Sequence, residues 1–298
     1  MNRNPFARGR SGALAPTVGL FPGMAMFTVF ALAPAIAVFA LSFTNISGIP
    51  NVPWQWTGWK NYERFFFSGE ASANISVVWR TLIFCLSITL IQNAIALIVA
   101  VMLNRNGILQ TLMRAVVFMP IVLGVTVIGL IWTLFFNPSG GPAASIWGLF
   151  GGSSAFFGDS VLSFPLIIAV QIWTGLGYSM MIFIAGLQAI PSELYEQARV
   201  DGASKLQQFR NVTVPMLAPS ITANVLIAII GSLQAYQLIY VLTGDKPTTS
   251  VLAMRVFTVG FSNSQQGYAS AISVVQFVMV GVITLVALFI LRRKETQL

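Results

Sequence analysis

Six apolar stretches divide this chain, at about 18–43, 82–103, 116–136, 162–187, 216–242 and 269–291, and none of them contains Asp, Glu, Lys or Arg. Each is about 20 residues or longer, the helix length that crosses a hydrocarbon core of about 30 Å. Only 8% of the 298 residues are charged and 56% are hydrophobic, against a charged fraction of about 25% in soluble chains. A soluble domain with so few charges has too little polar surface to cover itself. The disorder signature is the opposite composition. The expectation is an all-α integral membrane protein: a tail at 1–17, a six-helix domain at 18–291 and a second tail at 292–298.

The first stretch has basic residues ahead of it and Ala35-Ile36-Ala37 within it, like a signal peptide. A signal h-region runs only about 7–15 residues, so the stretch is read as a retained helix. Six crossings put both termini on one side. That side holds Arg3, Arg8, Arg10, Arg105, Arg114, Arg199, Lys205, Arg210, Arg292, Arg293 and Lys294; the other holds Lys60, Arg64, Arg80, Lys246 and Arg255. The excess of basic residues places both termini in the cytoplasm. Topology thus accounts for the net charge of +8 without nucleic acid. Trp54, Trp56, Trp59 and Trp147 fall in the outer loops, as suits an interfacial residue.

Histidine is absent and Cys85 is the one cysteine. No disulfide, no His/Cys metal site and no Ser-His-Asp or Cys-His nucleophile can be built. Cys85 reads as packing. No catalytic or metal-binding residue is assigned. The spans carry no ionisable group of the kind that marks proton relays and ion pathways, and no Arg-rich voltage sensor. A solute moved uphill would draw its energy from a partner. Gly19-x-x-x-Gly23 is a close-packing pattern, with Pro22 inside it. The glycines at 140, 141, 151 and 152 are expected to shape an outer loop.

The segment at about 190–215 concentrates three of the eight acids. Ser192 is placed as an N-cap, with Glu193 and Glu196 early in a helix, where acids suit its dipole. Gly202 ends that helix. A second short helix begins near Ala203 with Leu206 and Phe209 on one face, and Pro215 opens the fifth span. This predicts two short amphipathic helices hinged at a glycine.

The run Glu196-Gln197-Ala198-Arg199-Val200-Asp201-Gly202-Ala203, followed by Phe209 and then Pro215-Met216-Leu217-Ala218-Pro219, resembles the cytoplasmic signature loop of ABC importer permeases. Only Gln197 departs from that pattern, standing where the family has alanine. Tyr240–Gly244 and Gly267–Ala271 are similar to segments of the carbohydrate-type branch, related to the maltose and glycerol-phosphate permeases. Asp245-Lys246 here replaces the usual glycine before Pro247. The resemblance covers roughly 18–291. It implies a type I importer permease fold in a prokaryotic plasma membrane and a second, related permease as partner. It also implies two cytoplasmic ATPase subunits carrying ATP and Mg, and an extracytoplasmic solute-binding protein. Glu196, Ala198, Asp201 and Gly202 would then couple the chain to an ATPase. No G-x-x-x-x-G-K-[ST] loop occurs in the sequence, so no cofactor is assigned to this chain.

A path for a hydroxylated solute needs uncharged polar side chains. The fifth span offers Asn224, Gln234, Tyr236, Gln237 and Tyr240, of which Gln234, Gln237 and Tyr240 drift along one side of a helix at a spacing of three. Gln171, Trp173 and Gln276 are further candidates. The same amides also serve as interhelical glue. Without a lysine or arginine in the spans, a sugar is favoured over a phosphorylated polyol. Two other classes make different demands. A stand-alone carrier or channel would move solute without ATP, and an intramembrane enzyme would need an acid–base or metal constellation that the spans lack.

Overall fold

The computed structural model describes residues 20–295. The tail expected at 1–17, with Arg3, Arg8 and Arg10, lies outside these residues, as does Gly19 of the close-packing pattern. Its partner Gly23 has no atom of another residue within 4 Å of where a Cβ would stand. The described residues hold no strand beyond an isolated antiparallel bridge between Thr44 and Trp56.

Four helices are long and apolar enough to cross a bilayer unaided: α1 (Leu20–Leu41), a long helix at Ala71–Leu103, another at Ser163–Gln188 and a last at Gln266–Glu295. Between them lie α2 (Lys60–Phe67), the long helix α3 (Ala71–Leu103), α4 (Ile108–Val122), α5 (Val125–Phe135) and α6 (Pro142–Gly148). Then come α7 (Ser163–Gln188), α8 (Ser192–Val200), α9 (Lys205–Met216) and α10 (Ala218–Leu233). The chain finishes with α11 (Gln237–Thr243), α12 (Leu252–Ser262) and α13 (Gln266–Glu295). The expected tail at 292–298 is, as far as Glu295, the last turn of α13.

Two of the six expected spans are not straight. In the third, α4 and α5 meet at 102°. Pro120 lies inside α4 and removes one helical N–H, and the backbone at Leu123 and Gly124 is extended. In the fifth, α9 and α10 meet at 66° around Leu217. Pro215 therefore sits inside α9, and Pro219, in the first turn of α10, opens the span instead. The helix breaks again after Leu233 and resumes at Gln237.

The second span runs further than its apolar stretch. At 33 residues α3 is about 50 Å long, well beyond the hydrocarbon core. Its first part is held by polar contacts. Asn74 is buried and donates to the Phe65 carbonyl and the Tyr268 hydroxyl, both at 3.1 Å. Arg80 donates to the Ser250 carbonyl at 3.0 Å, and Thr81 accepts the Leu252 N–H at 2.9 Å. Nearby, Glu70 takes Arg64 at 2.7 Å and Arg255 at 3.4 Å. These bonds bind α2, α12 and the start of α13 into a platform at one end of the bundle.

The interior is apolar. Phe84, Ile128, Ile167, Val170, Ile239 and Met254 form its main cluster, joining α3, α5, α7, α11 and α12. A second cluster, with Ala96, Ala100, Met180, Phe183 and Leu217, joins α3, α7 and the α9–α10 corner. Cys85 is buried among Ile229 and Leu233. Helix α4 crosses α7 at Gly177, where a Cβ would stand 2.6 Å from the Phe118 Cα. Any side chain there would push the two backbones apart.

Candidate functional site

Two of the three helix breaks, α4–α5 and α10–α11, meet at one cavity of about 340 Å³. Leu123 and Val125, at the α4–α5 break, form one wall. Gln234, Ala235, Tyr236 and Gln237, at the α10–α11 break, form another. Gln171 and Thr174 enter from α7. Gln234 closes α10 with φ −98° and ψ −4°, and Tyr236 precedes α11 with φ −143° and ψ −30°. Backbone groups freed inside a bilayer must be buried in protein or line a polar cavity, because lipid tails cannot pair with them. Here both interruptions border the same space.

The lining mixes apolar side chains with uncharged polar ones. None of its residues is acidic or basic. Gln234 and Gln237 are exposed. Tyr236 stacks on Phe257, with ring centroids 5.3 Å apart. An amide presents two donors and an acceptor, so the three glutamines offer neutral hydrogen-bonding groups, while the Thr174 hydroxyl donates to the Val170 carbonyl at 2.9 Å.

The structure thus gathers Gln234, Tyr236 and Gln237 with Gln171, but Gln234 and Gln237 do not share one helix as the spacing of Gln234, Gln237 and Tyr240 suggested. The break places Gln234 at the end of α10 and Gln237 at the start of α11. Tyr240 lies one turn further along α11, against the edge of Phe257, and does not border the cavity. Asn224 is buried deeper in the bundle and donates to the Ser179 carbonyl at 3.1 Å. Trp173 points at Trp132, with centroids 5.4 Å apart. Gln276 donates to the Leu233 carbonyl at 2.8 Å and lines a separate groove. Thr174 was missed, although it stands three residues from Gln171 on the same helical face.

The 190–215 segment folds as two short helices, as expected, with different caps. The residue ahead of α8 is Pro191, and Ser192 is its first residue without a side-chain cap. The cap falls instead on Ser204. Its hydroxyl accepts the Gln207 N–H while the Gln207 side chain accepts the Ser204 N–H at 2.7 Å, a capping box that starts α9. Gly202 has φ +76°. Its N–H reaches the Arg199 carbonyl at 3.1 Å, and the Ala203 N–H reaches the Ala198 carbonyl at 2.9 Å. That pair of bonds is the Schellman ending, in which the residue at Gly202 must be left-handed. Tyr195 and Thr213 share a hydrogen bond of 2.9 Å that ties α8 to α9. Glu196 and Asp201 are exposed and Ala198 is half-buried. Val200 and Leu206, on either side of the turn, are 89% and 75% exposed. The loop therefore offers solvent two apolar side chains and three carboxylates, Glu193, Glu196 and Asp201, on a hairpin of helices.

A family model described as the binding-protein-dependent transport system inner membrane component matches residues 92–295, which contain the cavity, both breaks and the helical loop. The chain belongs to this family. It is a multi-pass membrane permease subunit of an ABC importer. The multiple sugar-binding transport system permease protein MsmF of Streptococcus mutans is 31% identical over 259 residues, covering 85% of this chain and 87% of that one. The trehalose/maltose transport system permease protein MalF of Thermococcus litoralis is 31% identical over 282 residues, covering 90% of each. Among solved structures, a bacterial alginate ABC transporter, crystallised with an alginate pentasaccharide-bound periplasmic protein, includes a chain with a TM-score of 0.83 to this permease. Their identity is 21%, with 98% of this chain and 99% of that one covered. The shared architecture is the type I importer permease fold.

Proposed function

We infer that this permease forms part of the translocation path for a neutral sugar or sugar-like solute, and that the solute contacts Gln171, Gln234, Tyr236 and Gln237. The observation that carries this reading is the cavity where two broken helices meet, lined by neutral hydrogen-bonding side chains and no charge. Sugar hydroxyls both donate and accept, as amides do, and an aromatic face can stack on a sugar ring. A phosphate or carboxylate would enter without a cation to pair with it, at a cost of several kcal/mol for a desolvated charge. The sugar-transport names of MsmF and MalF support the same class.

Both termini lie in the cytoplasm by the positive-inside rule, which puts the α8–α9 hairpin there as well. Glu196, Ala198, Asp201 and Gly202 then present that hairpin to a cytoplasmic ATPase subunit. Ala198 and Gly202 shape the turn, and the two carboxylates meet basic groups on the partner. ATP and Mg belong to two such subunits, a second permease completes the membrane part, and an external binding protein delivers the solute.

The test uses the complex purified from native membrane and reconstituted with its binding protein. The expected result is ATP-dependent uptake of a neutral sugar, lost in Gln234→Ala/Gln237→Ala. Uptake by this chain alone without ATP would overturn the coupling. Unchanged uptake of the accepted sugar by the double variant would overturn the path.

A further inference from the structure

A second hollow, of about 490 Å³, lies in the connection between α5 and α7, within the size range of small-molecule sites. With both termini in the cytoplasm, this connection is on the outer face. Helix α6 and the turn after it shape the hollow. The Gly151 N–H reaches the Gly148 carbonyl at 3.0 Å and the Gly152 N–H reaches the Trp147 carbonyl at 3.2 Å. This is a Schellman ending, with Gly151 left-handed at φ +73°. It folds the chain back so that Gly152 lies against Trp147. A Cβ at Gly152 would fall on the pyrrole part of the indole, so a side chain there would displace the ring.

Trp147, 52% exposed, lines the hollow with Ser153, Ser154 and Asp159, alongside Pro138 and Ala144. Part of their hydrogen-bonding capacity is spent on the loop itself. The Ser154 hydroxyl accepts the Phe156 N–H at 3.0 Å, and one Asp159 oxygen accepts the Val161 and Leu162 N–H groups. The other Asp159 oxygen, the Ser153 hydroxyl and the Trp147 N–H have no partner among the described residues. The loop is also anchored. Lys246 donates to the Phe157 carbonyl at 2.8 Å, and the buried Phe156 and Phe157 pack on Phe136 with centroids 5.4 and 5.3 Å apart. A site fixed in advance spares the ordering cost of binding. Its chemistry selects among ligands. No basic residue lines it, and the Asp159 carboxylate repels an acid. One carboxylate falls far short of the oxygen shell of a metal cation, and the described residues hold no cluster of three metal-binding side chains. A flat aromatic face beside a carboxylate and a hydroxyl suits a ring that is apolar on one face and carries hydroxyls at its edge.

We propose that this hollow is an outer subsite for a neutral sugar ring, with Trp147 as its stacking face and Asp159 and Ser153 as its hydroxyl partners. The inference rests on the proposed function, which supplies the solute. It adds a contact that the solute meets before the cavity. Helix α7 joins the two places: Asp159 stands just ahead of its first residue, Ser163, and Gln171 follows about 12 Å further along the axis. Lys246 makes a second link, because it ties the loop of the subsite to the chain that leaves α11, whose first residue borders the cavity.

The experiment screens glucose, maltose, trehalose and raffinose for uptake by the complete reconstituted complex, and the imported sugar becomes the probe. The complex without its binding protein, carrying fluorotryptophan at position 147 alone, is then titrated and read by fluorine NMR, with glucuronate as the acidic control. The expected result is a saturable shift with the imported sugar and none with glucuronate. Gly152→Val should abolish the shift, since it displaces the indole and removes no hydrogen-bonding group. In uptake at low concentrations of sugar-loaded binding protein, Trp147→Ala should cost about fivefold, the worth of one aromatic contact. Trp147→Tyr should recover most of that, and Tm should hold in both because the side chain is half exposed. An unmoved fluorine signal with a sugar that is imported, or parental uptake in Trp147→Ala, overturns this proposal and leaves the proposed function standing. An equal shift with glucuronate overturns the neutral ligand. A shift with the sugar-free binding protein and none with sugar makes the hollow a protein contact and overturns the ligand class. Uptake of none of the four sugars overturns the sugar reading and this subsite with it.

Discussion

Two sets of amides sit within the spans of this permease, and the fold treats them in opposite ways. Gln92, Asn93 and Asn224 are buried, and each donates its amide N–H to a neighbour: Gln92 to the Ser179 hydroxyl at 2.9 Å, Asn93 to the Thr89 carbonyl at 2.7 Å and Asn224 to the Ser179 carbonyl. Gln171, Gln234 and Gln237 instead border the cavity. All six are side-chain amides, and the sequence around each is apolar. In the first set, Gln92 and Asn224 tie α3 and α10 to α7 through Ser179, and Asn93 bonds within α3; the second set is left for a ligand. Polarity in a span therefore does not define a site. A side chain belongs to the site when its hydrogen-bonding capacity is unspent and faces a space.

The comparison fails if the cavity amides prove to be scaffold. The largest expected effect is on transport by Gln234→Ala/Gln237→Ala. Losing two hydrogen bonds of about 1 kcal/mol each corresponds to about a thirtyfold fall in uptake efficiency. Its thermal unfolding should match the parent. A drop of many degrees in Tm would instead put these residues with the knitting set.

The reverse experiment uses Asn224→Leu. The Ser179 carbonyl loses one donor, and stability should fall by about 1–2 kcal/mol, read as a lower Tm. Uptake per folded molecule should be near that of the parent. A selective loss of uptake at unchanged Tm would return Asn224 to the path. Gly202→Val sharpens the distinction from the other end of the molecule. A β-branched residue at φ +76° costs about 1–2 kcal/mol, borne locally by the α8–α9 hairpin. Solute-stimulated ATP hydrolysis should fall while sugar binding in the membrane is retained. Full stimulation in this variant would show that the turn is not needed for coupling.

The difference between the two regions also explains what was legible in the sequence. Charge-free runs revealed the spans, because a single charge at membrane depth is costly. The 190–215 hairpin was legible because its spacing is rigid: Gly202 and Phe209 stand where two short helices and a left-handed turn require them. The breaks were not. Hydropathy is blind to backbone direction, and the 234–236 break has an alanine and no proline or glycine within it. Pro120 and Gly124 stand at the α4–α5 break, but hydropathy alone reads 116–136 as one span. With the α10–α11 break unseen, Gln234, Gln237 and Tyr240 read as one face, although they sit on two helices. Asn224 and Gln234 are indistinguishable in sequence, since only tertiary structure places Ser179 beside the first and open space beside the second.

Helix α7 serves both sets, with Gln171 on the cavity and Ser179 as the partner of Gln92 and Asn224, so its register matters to each. Its leading end is fixed by Asp159, whose carboxylate accepts the Val161 and Leu162 N–H groups at 2.7 and 2.8 Å. Those bonds, Leu162 first, hold the Asp159 carboxyl below its ordinary value of 3.8. The sign follows from linkage: a carboxyl depressed in the folded state stabilises above its unfolded value, and that contribution is lost as pH falls through the folded value. The residue is only partly buried, so a smaller effect is expected here than at Gln234, Asn224 or Gly202. Asp159→Asn keeps an acceptor but cannot titrate. The parent should exceed Asp159→Asn slightly in Tm at pH 6 and 7, and the gap should begin to narrow below about pH 4 and go on narrowing as the carboxylate protonates. A gap that does not narrow at all between about pH 4 and about pH 2 would mean that the carboxylate does not hold α7 through its charge.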